Sequence, residues 1–390
     1  MGSNLNDLHI AVVTSYPPSK GSLNEYGFYF VDALRKHSDV RRLSVIADAP
    51  SPREPFVDRV WEFNSPSNPV KIQKALRRLR PDAVIYNLQF ASFGDRRVPA
   101  ALGLLSPFLS RLSGLPTLTL LHNIFETVDL KKAGFGEKPW VEWITRRFGE
   151  LFTRLLLQSD LVATTMPRYV DILRKKYKCE HVFLAPHGTL KPPLPVQALP
   201  EIPTVMAFGK FGTYKKVEVL LEAHKRLLEK NPQVRLVVAG SDSPNAIGYL
   251  AGVQARYKDL PNVTYTGYVA EEDVPKIFYD ATVVAFPYNS TTGSSGVLHQ
   301  AGEFGRAAVM PKLGDLADLV DEEGYKAVFF EPEDAESLAD ALWPLIAKPE
   351  EAYALGEWNH RVASGLLLSE VIDWYILHLQ EVIRRKHARQ

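Results

Sequence analysis

Short apolar runs rich in β-branched residues punctuate the first half of the chain at 8–14, 43–47, 83–87, 117–122 and 161–165, each closed by polar or turn residues. Such runs predict buried strands. Between several of them the apolar spacing lengthens to three and four, which predicts helices over 28–36 and 70–79. The second half repeats the alternation, with strands expected at 204–208, 235–239, 263–266, 282–286 and 327–330. A clear amphipathic helix there carries Val217, Leu220, Leu221, His224, Leu227 and Leu228 on one face. Strands alternating with helices predict βαβ units around a parallel sheet, once in each half. Five prolines at 192, 193, 195, 200 and 203 deny regular structure to the stretch between the halves. The expected organisation is a domain over 1–190, a linker over 191–203, a second domain over 204–370 and a closing helix over 371–390.

Composition narrows the function classes. A length of 390 residues suits about two domains, and 46% hydrophobic residues can fill two cores. Lys and Arg (46) nearly balance Asp and Glu (45), so no global field argues for nucleic acid. The single cysteine, Cys179, excludes an internal disulfide framework and a cysteine-cluster metal site. The first apolar run breaks at Thr14-Ser15-Tyr16-Pro17-Pro18 and does not read as a secretory signal, and no window approaches a transmembrane span. A cytoplasmic α/β protein is expected. One region departs from the balance: 140–178 holds eight basic and four acidic residues, a net +4. Apolar residues at 148, 151, 152, 155 and 156 mark a helical face within it. Two accounts stand: a core-facing helix with a solvated basic side, or peripheral docking on the anionic inner face of a membrane.

In doubly wound sheets ligands sit beyond the carboxyl ends of the strands, so the loops there carry the candidate chemistry. Gly21 follows the first strand, where a missing Cβ lets a ligand approach the backbone. His122, with Asn123, follows the strand ending at 121; a lone histidine is also often structural. Residues 287–311 follow another strand with small polar residues, Gly293 and Gly296, then a helix from about Val297. A helix N-terminus with unpaired N–H groups and a partial positive charge attracts phosphate. Ordinary capping by Ser294 or Ser295 would account for the same residues. Lys210 and Lys215 bracket a loop between the strand at 204 and the next helix; they are either solvated or placed to hold a diphosphate.

Taken together, the two α/β halves, the Pro-rich linker, Gly209-Lys210 followed by Lys215-Lys216, and the stretch ending Gly305-Arg306-Ala307-Ala308-Val309 resemble the GT-B glycosyltransferases of family GT4, most closely from about 204 to 345. The resemblance implies two Rossmann-like doubly wound domains facing each other across a cleft, the first for acceptor and the second for a nucleotide-sugar donor. It implies that Lys210 and Lys215 hold the donor diphosphate, assisted by Gly209, Gly293, Ser294, Ser295, Gly296 and Val297. Gly21 matches that family's Gly-rich loop approaching donor phosphate and acceptor, and His122 matches a histidine at a strand end that usually contacts the donor sugar. The family's paired glutamates fall at Thr292 and Gln300, neither of them acidic. Gln300 can still hydrogen-bond a ribose, whereas Thr292 keeps a hydroxyl without charge. The implied reaction is retaining transfer of a hexose from a UDP- or GDP-sugar to a sugar or lipid-linked acceptor. His122, Lys210 and Lys215 would serve catalysis, with no cofactor and no metal, since Asp-x-Asp is absent. The final helix, with Arg384, Arg385 and Lys386, is expected to cross back to the first domain. A nucleotide-sugar epimerase and a non-catalytic nucleotide-sugar-binding partner subunit remain as alternatives. A dinucleotide oxidoreductase is disfavoured, because no Gly-x-Gly-x-x-Gly follows the first strand.

Overall fold

The computed structural model describes residues 7–19, 23–49, 55–127, 139–243, 246–290 and 293–388. Gly21 and Thr292, both expected at the site, lie outside the described residues. The chain forms two compact units, one of residues 1–190 with 368–390 and one of 191–367.

The first unit runs β1 (Leu8–Val13), α1 (Asn24–Lys36), β2 (Val40–Ala49), β3 (Val57–Glu62), α2 (Asn68–Leu79), β4 (Ala83–Leu88), α3 (Arg97–Gly103), α4 (Ser106–Leu112), β5 (Thr117–Leu121), α5 (Pro139–Leu156), β6 (Leu161–Thr164), α6 (Pro167–Tyr177) and β7 (Val182–Leu184). Its seven strands pair in parallel in the order β3-β2-β1-β4-β5-β6-β7. β1 and β4 are buried along their whole length, which is why they read as mostly apolar runs. The edge strands β3 and β7 escaped the hydrophobic pattern. β3 mixes Asp58 and Arg59 with Val60 and Trp61, and β7 has three residues.

The second unit runs β8 (Thr204–Phe211), α7 (Glu218–Lys230), β9 (Arg235–Asp242), α8 (Tyr249–Arg256), β10 (Val263–Gly267), α9 (Val274–Tyr279), β11 (Val283–Ala285), α10 (Gly296–Glu303), β12 (Ala307–Pro311), α11 (Gly314–Glu323), β13 (Val328–Phe330), α12 (Ala335–Ala347) and α13 (Pro349–Ser364). Its six parallel strands take the order β10-β9-β8-β11-β12-β13. In each unit the first strand and the fourth of this series are neighbours whose connections lead away in opposite directions. That divergence opens a crevice at the strands' carboxyl ends, at β1/β4 in one sheet and β8/β11 in the other.

The Pro-rich residues 191–203 form neither helix nor strand. Arg306, fully buried, pins part of this stretch to the second unit: its guanidinium donates to the carbonyls of Gln197 (3.0 Å), Phe278 (3.0 Å) and Tyr279 (3.1 Å). Gly305 takes φ +63°, and a Cβ there would come within 2.7 Å of Val196.

The last helix, α14 (Leu368–His387), returns to the first unit. Leu368, Val371, Ile372, Tyr375, Ile376, Leu379 and Ile383 recur at spacings of three and four and join the core that holds Leu8, Ile10 and Phe30. Each such buried aliphatic contributes roughly 1.5–3 kcal/mol of transfer free energy. Lys386 anchors the far end, its Nζ lying 2.6 Å from Asp160 and 3.1 Å from the Leu115 carbonyl. α5 bears out the expected inner face over 140–178 only in part: Phe148 and Leu151 are 58% and 49% exposed, whereas Phe152 and Leu155 are half-buried and Leu156 is buried. Gly149 and Thr153 join Leu156 on the buried side of the helix.

Candidate functional site

The β8/β11 switch point gathers most of the expected residues. β8 pairs with β9 as far as Phe211 opposite Asp242, past the strand end expected at 208, so Lys210 lies on the strand, exposed near its carboxyl end. The pairing places Gly209 against Gly240, with φ of +126° and +137°. A Cβ at Gly240 would collide with the Gly209 carbonyl, and one at Gly209 would sit 2.5 Å from Lys215 Nζ. Gly209 therefore clears the space in which the Lys215 ammonium lies, and Gly240 lets the Gly209 backbone pass close to it.

Lys215 is held from several sides. The loop 212–217 is sewn to the stretch after β11 by backbone bonds from Lys216 N to Pro287 O (2.8 Å) and Asn289 N to Tyr214 O (2.9 Å). Lys215 and Tyr288 face each other across an isolated antiparallel bridge. The Lys215 side chain is 7% exposed; its Nζ donates to Phe208 O (3.3 Å) and lies 4.8 Å from the Tyr288 ring centre and 5.9 Å from that of Tyr214. Aromatic faces and a carbonyl can stabilise a buried ammonium. Its neighbour Lys216 faces another way, bonded to Gly212 O (2.7 Å) over the Tyr249 ring.

The N-terminus of α10 opens beside this lysine's loop. Ser295 takes the extended N-cap conformation but makes no side-chain cap bond, and its hydroxyl instead meets the Tyr288 phenol. The Ser294 hydroxyl goes to His299 Nε2 (3.1 Å), whose Nδ1 meets Tyr325 OH (3.1 Å). Capping by either serine is therefore not what the structure uses. Behind this network sits the Glu323 carboxyl, 3.5 Å from His299 and pushed up to about 8 by burial, with Glu322 adding to the shift. One expected donor is already committed: the Gly293 N–H bonds the buried Asp315 carboxylate at 3.1 Å. Gly296, Val297 and Gln300 lie half-buried along α10, and Glu303 is buried.

In the first unit His122 leaves β5 as expected and is 9% exposed. Asn87, at the end of β4, donates from Nδ2 to Thr14 Oγ1 (2.9 Å), so its Oδ1 accepts from His122 Nε2 at 2.7 Å. That arrangement puts the proton on Nε2 and leaves Nδ1 as an acceptor. The Tyr26 ring lies edge-on to His122 at 4.5 Å and also meets His187 at 4.7 Å. Burial holds His122 well below the ordinary histidine range, with His187 pushing the same way, and burial lowers His187 to about 4. Both rings are neutral at pH 7. An unfolded histidine takes up its proton as pH falls through about 6.5, whereas folded His187 resists until about 4. Stability is thus lost over that window, by roughly 3 kcal/mol for His187. Thermal midpoints between pH 7 and 4 should show the slope, and His187→Gln should make it shallower, with His122 supplying the remainder.

Two Rossmann-like units of parallel sheet in one chain define the GT-B class of fold. Residues 202–348, most of the second unit, match the family model of glycosyl transferases group 1. The O-antigen chain mannosyltransferase C of Escherichia coli is 24% identical over 170 residues, 43% of this chain and 44% of that protein. The chain spans less than half the length of the curated relatives it matches. Among solved structures, sucrose-phosphate synthase from Thermosynechococcus elongatus superposes with a TM-score of 0.74 at 20% identity, over 98% of this chain and all of that one. HepE of Anabaena, solved with UDP-glucose, gives 0.66 at 14% identity, over 98% and 100% of the two chains.

The sequence reading missed several residues of the site. Gly240, Asp315, His299 and Tyr288 have no local motif, and Asn87 and His187 acquire meaning only from the partners that the sheet brings to them. Among the described residues no group of three His, Cys, Asp or Glu side chains could hold a metal ion.

Proposed function

We propose that the chain is a retaining glycosyltransferase that moves a hexose from a UDP- or GDP-sugar to a sugar or lipid-linked acceptor, without a metal. The observation that carries this reading is the buried Lys215 side chain over the ring of Tyr288, whose phenol meets Ser295, the N-cap residue of α10 that makes no side-chain cap bond. A cation and a helix dipole at a switch point suit a diphosphate leaving group. In the proposed step the bond from the sugar's anomeric carbon to the diphosphate breaks. The acceptor oxygen joins that carbon from the same face and passes its proton to the departing phosphate. Lys210, Lys215 and the N–H groups of Gly296 and Val297 stabilise the charge that develops on the diphosphate, and Gln300 takes the ribose. The acceptor is assigned to the first unit, with His122 a neutral hydrogen-bonding group and not a nucleophile. The reading is supported by the family match of the second unit and by the UDP-glucose held by HepE.

The test is product analysis. UDP-glucose and GDP-mannose are incubated with candidate acceptors, and nucleoside diphosphate release and the anomeric signal of the product are followed by NMR. Release coupled to an α-linked product supports retaining transfer. An inverted product, or an altered nucleotide sugar without any acceptor, overturns it; the latter is the epimerase result.

A further inference from the structure

Helix α5 wears its apolar side outward. Trp140, Trp143, Ile144, Phe148 and Leu151 recur at spacings of three and four and are 62%, 60%, 37%, 58% and 49% exposed. The opposite face is small: the Phe125 ring lies where a Cβ on Gly149 would stand, and Thr153 returns its hydroxyl to Gly149 O at 3.0 Å. Single exposed apolar residues are ordinary, but five on one helical stripe mark a surface that is covered in use.

The charges around the stripe say what covers it. Arg147 and Arg154 share the exposed face, Arg147 5.6 Å from the Trp143 ring and Arg154 5.0 Å from that of Tyr177 on α6. The two acids of the helix are engaged, Glu142 by Arg146 (2.8 Å) and Glu150 by Lys176 (2.9 Å) and Arg147 (3.1 Å). Exposed Arg174, Lys175 and Lys178 extend the basic rim from α6. A symmetric contact with a second copy would set this rim against itself. An anionic bilayer matches both parts: tryptophans settle at the headgroup level and basic side chains meet lipid phosphates. Among the described residues no helix is long and apolar enough to cross a membrane, so the contact is with the surface.

We propose that α5, rimmed by α6, docks the first unit onto an anionic lipid surface, with its Trp140–Trp143–Phe148 stripe in the headgroup plane. The docking does not depend on what the second unit binds. The experiment is co-sedimentation with vesicles of phosphatidylglycerol and phosphatidylcholine, against vesicles of phosphatidylcholine alone. Wild type is expected to bind the anionic vesicles, more weakly as salt rises, and W140S/W143S/F148S to bind at least about tenfold less. The three side chains are exposed, so the thermal midpoint should hold. Quenching of wild-type tryptophan fluorescence by brominated phosphatidylglycerol needs no variant and must also occur. Absence of that quenching, or equal vesicle binding by the variant, overturns the proposal. So does a concentration-dependent dimer in lipid-free buffer that the triple substitution abolishes, because the covering surface would then be a second copy.

Discussion

Lys215→Met together with Lys210→Ala is expected to weaken nucleoside diphosphate binding by at least about a hundredfold. Each charge-assisted hydrogen bond to phosphate is worth roughly 1.5–3 kcal/mol, so the loss of two exceeds the roughly 2.7 kcal/mol that two decades require. Methionine preserves the packing between Tyr288 and Tyr214 while removing the charge, which separates binding from folding. Titration calorimetry with UDP and GDP reads the first effect and a thermal melt the second. Lys210, exposed on β8, should account for the smaller share when changed alone. Unchanged affinity in the double variant would remove the diphosphate from this switch point.

Gly240→Ala should be the most damaging small substitution in the second unit. At φ +137° an L side chain is strained, and its Cβ would run into the Gly209 carbonyl on the neighbouring strand. Neither backbone can yield without breaking the β8–β9 register beneath Lys215. A loss of about 3 kcal/mol or more is expected in denaturant unfolding. Gly248→Ala is the control: it has φ +87° and nothing within 4 Å of a built Cβ, so only the backbone term of about 1–2 kcal/mol applies. Similar losses in the two variants would mean that the glycine pair is not a tight crossing.

What the sequence disclosed follows from what is local. β1, β4 and the first half of β8 announce themselves because strands buried on both faces are mostly apolar, and Lys215 stands out because a glycine-flanked loop leads into a plain amphipathic helix. Position 148 shows the limit. Phe148 and Leu151 have the spacing of a core face, but the sequence does not say which side of α5 the sheet will cover. The Phe125 ring against Gly149, from a segment more than twenty residues earlier, settles that in the fold. Asp315 is similar: its carboxylate takes the Gly293 N–H across 22 residues, so a backbone donor expected for the ligand is spent inside the protein. The serines at 294 and 295 have the right chemistry for a cap, yet His299 and Tyr288 compete for their hydroxyls.

The most direct test of the donor site is thermal stability of the wild-type chain with UDP, GDP and ADP, each with excess EDTA and again with Mg²⁺. A nucleotide at one hundred times its dissociation constant should stabilise the fold by about 2.7 kcal/mol. The account predicts that UDP or GDP raises the midpoint fully in EDTA, with the Lys210/Lys215 double variant unmoved. A rise that requires Mg²⁺, or no rise with any nucleotide, would contradict it.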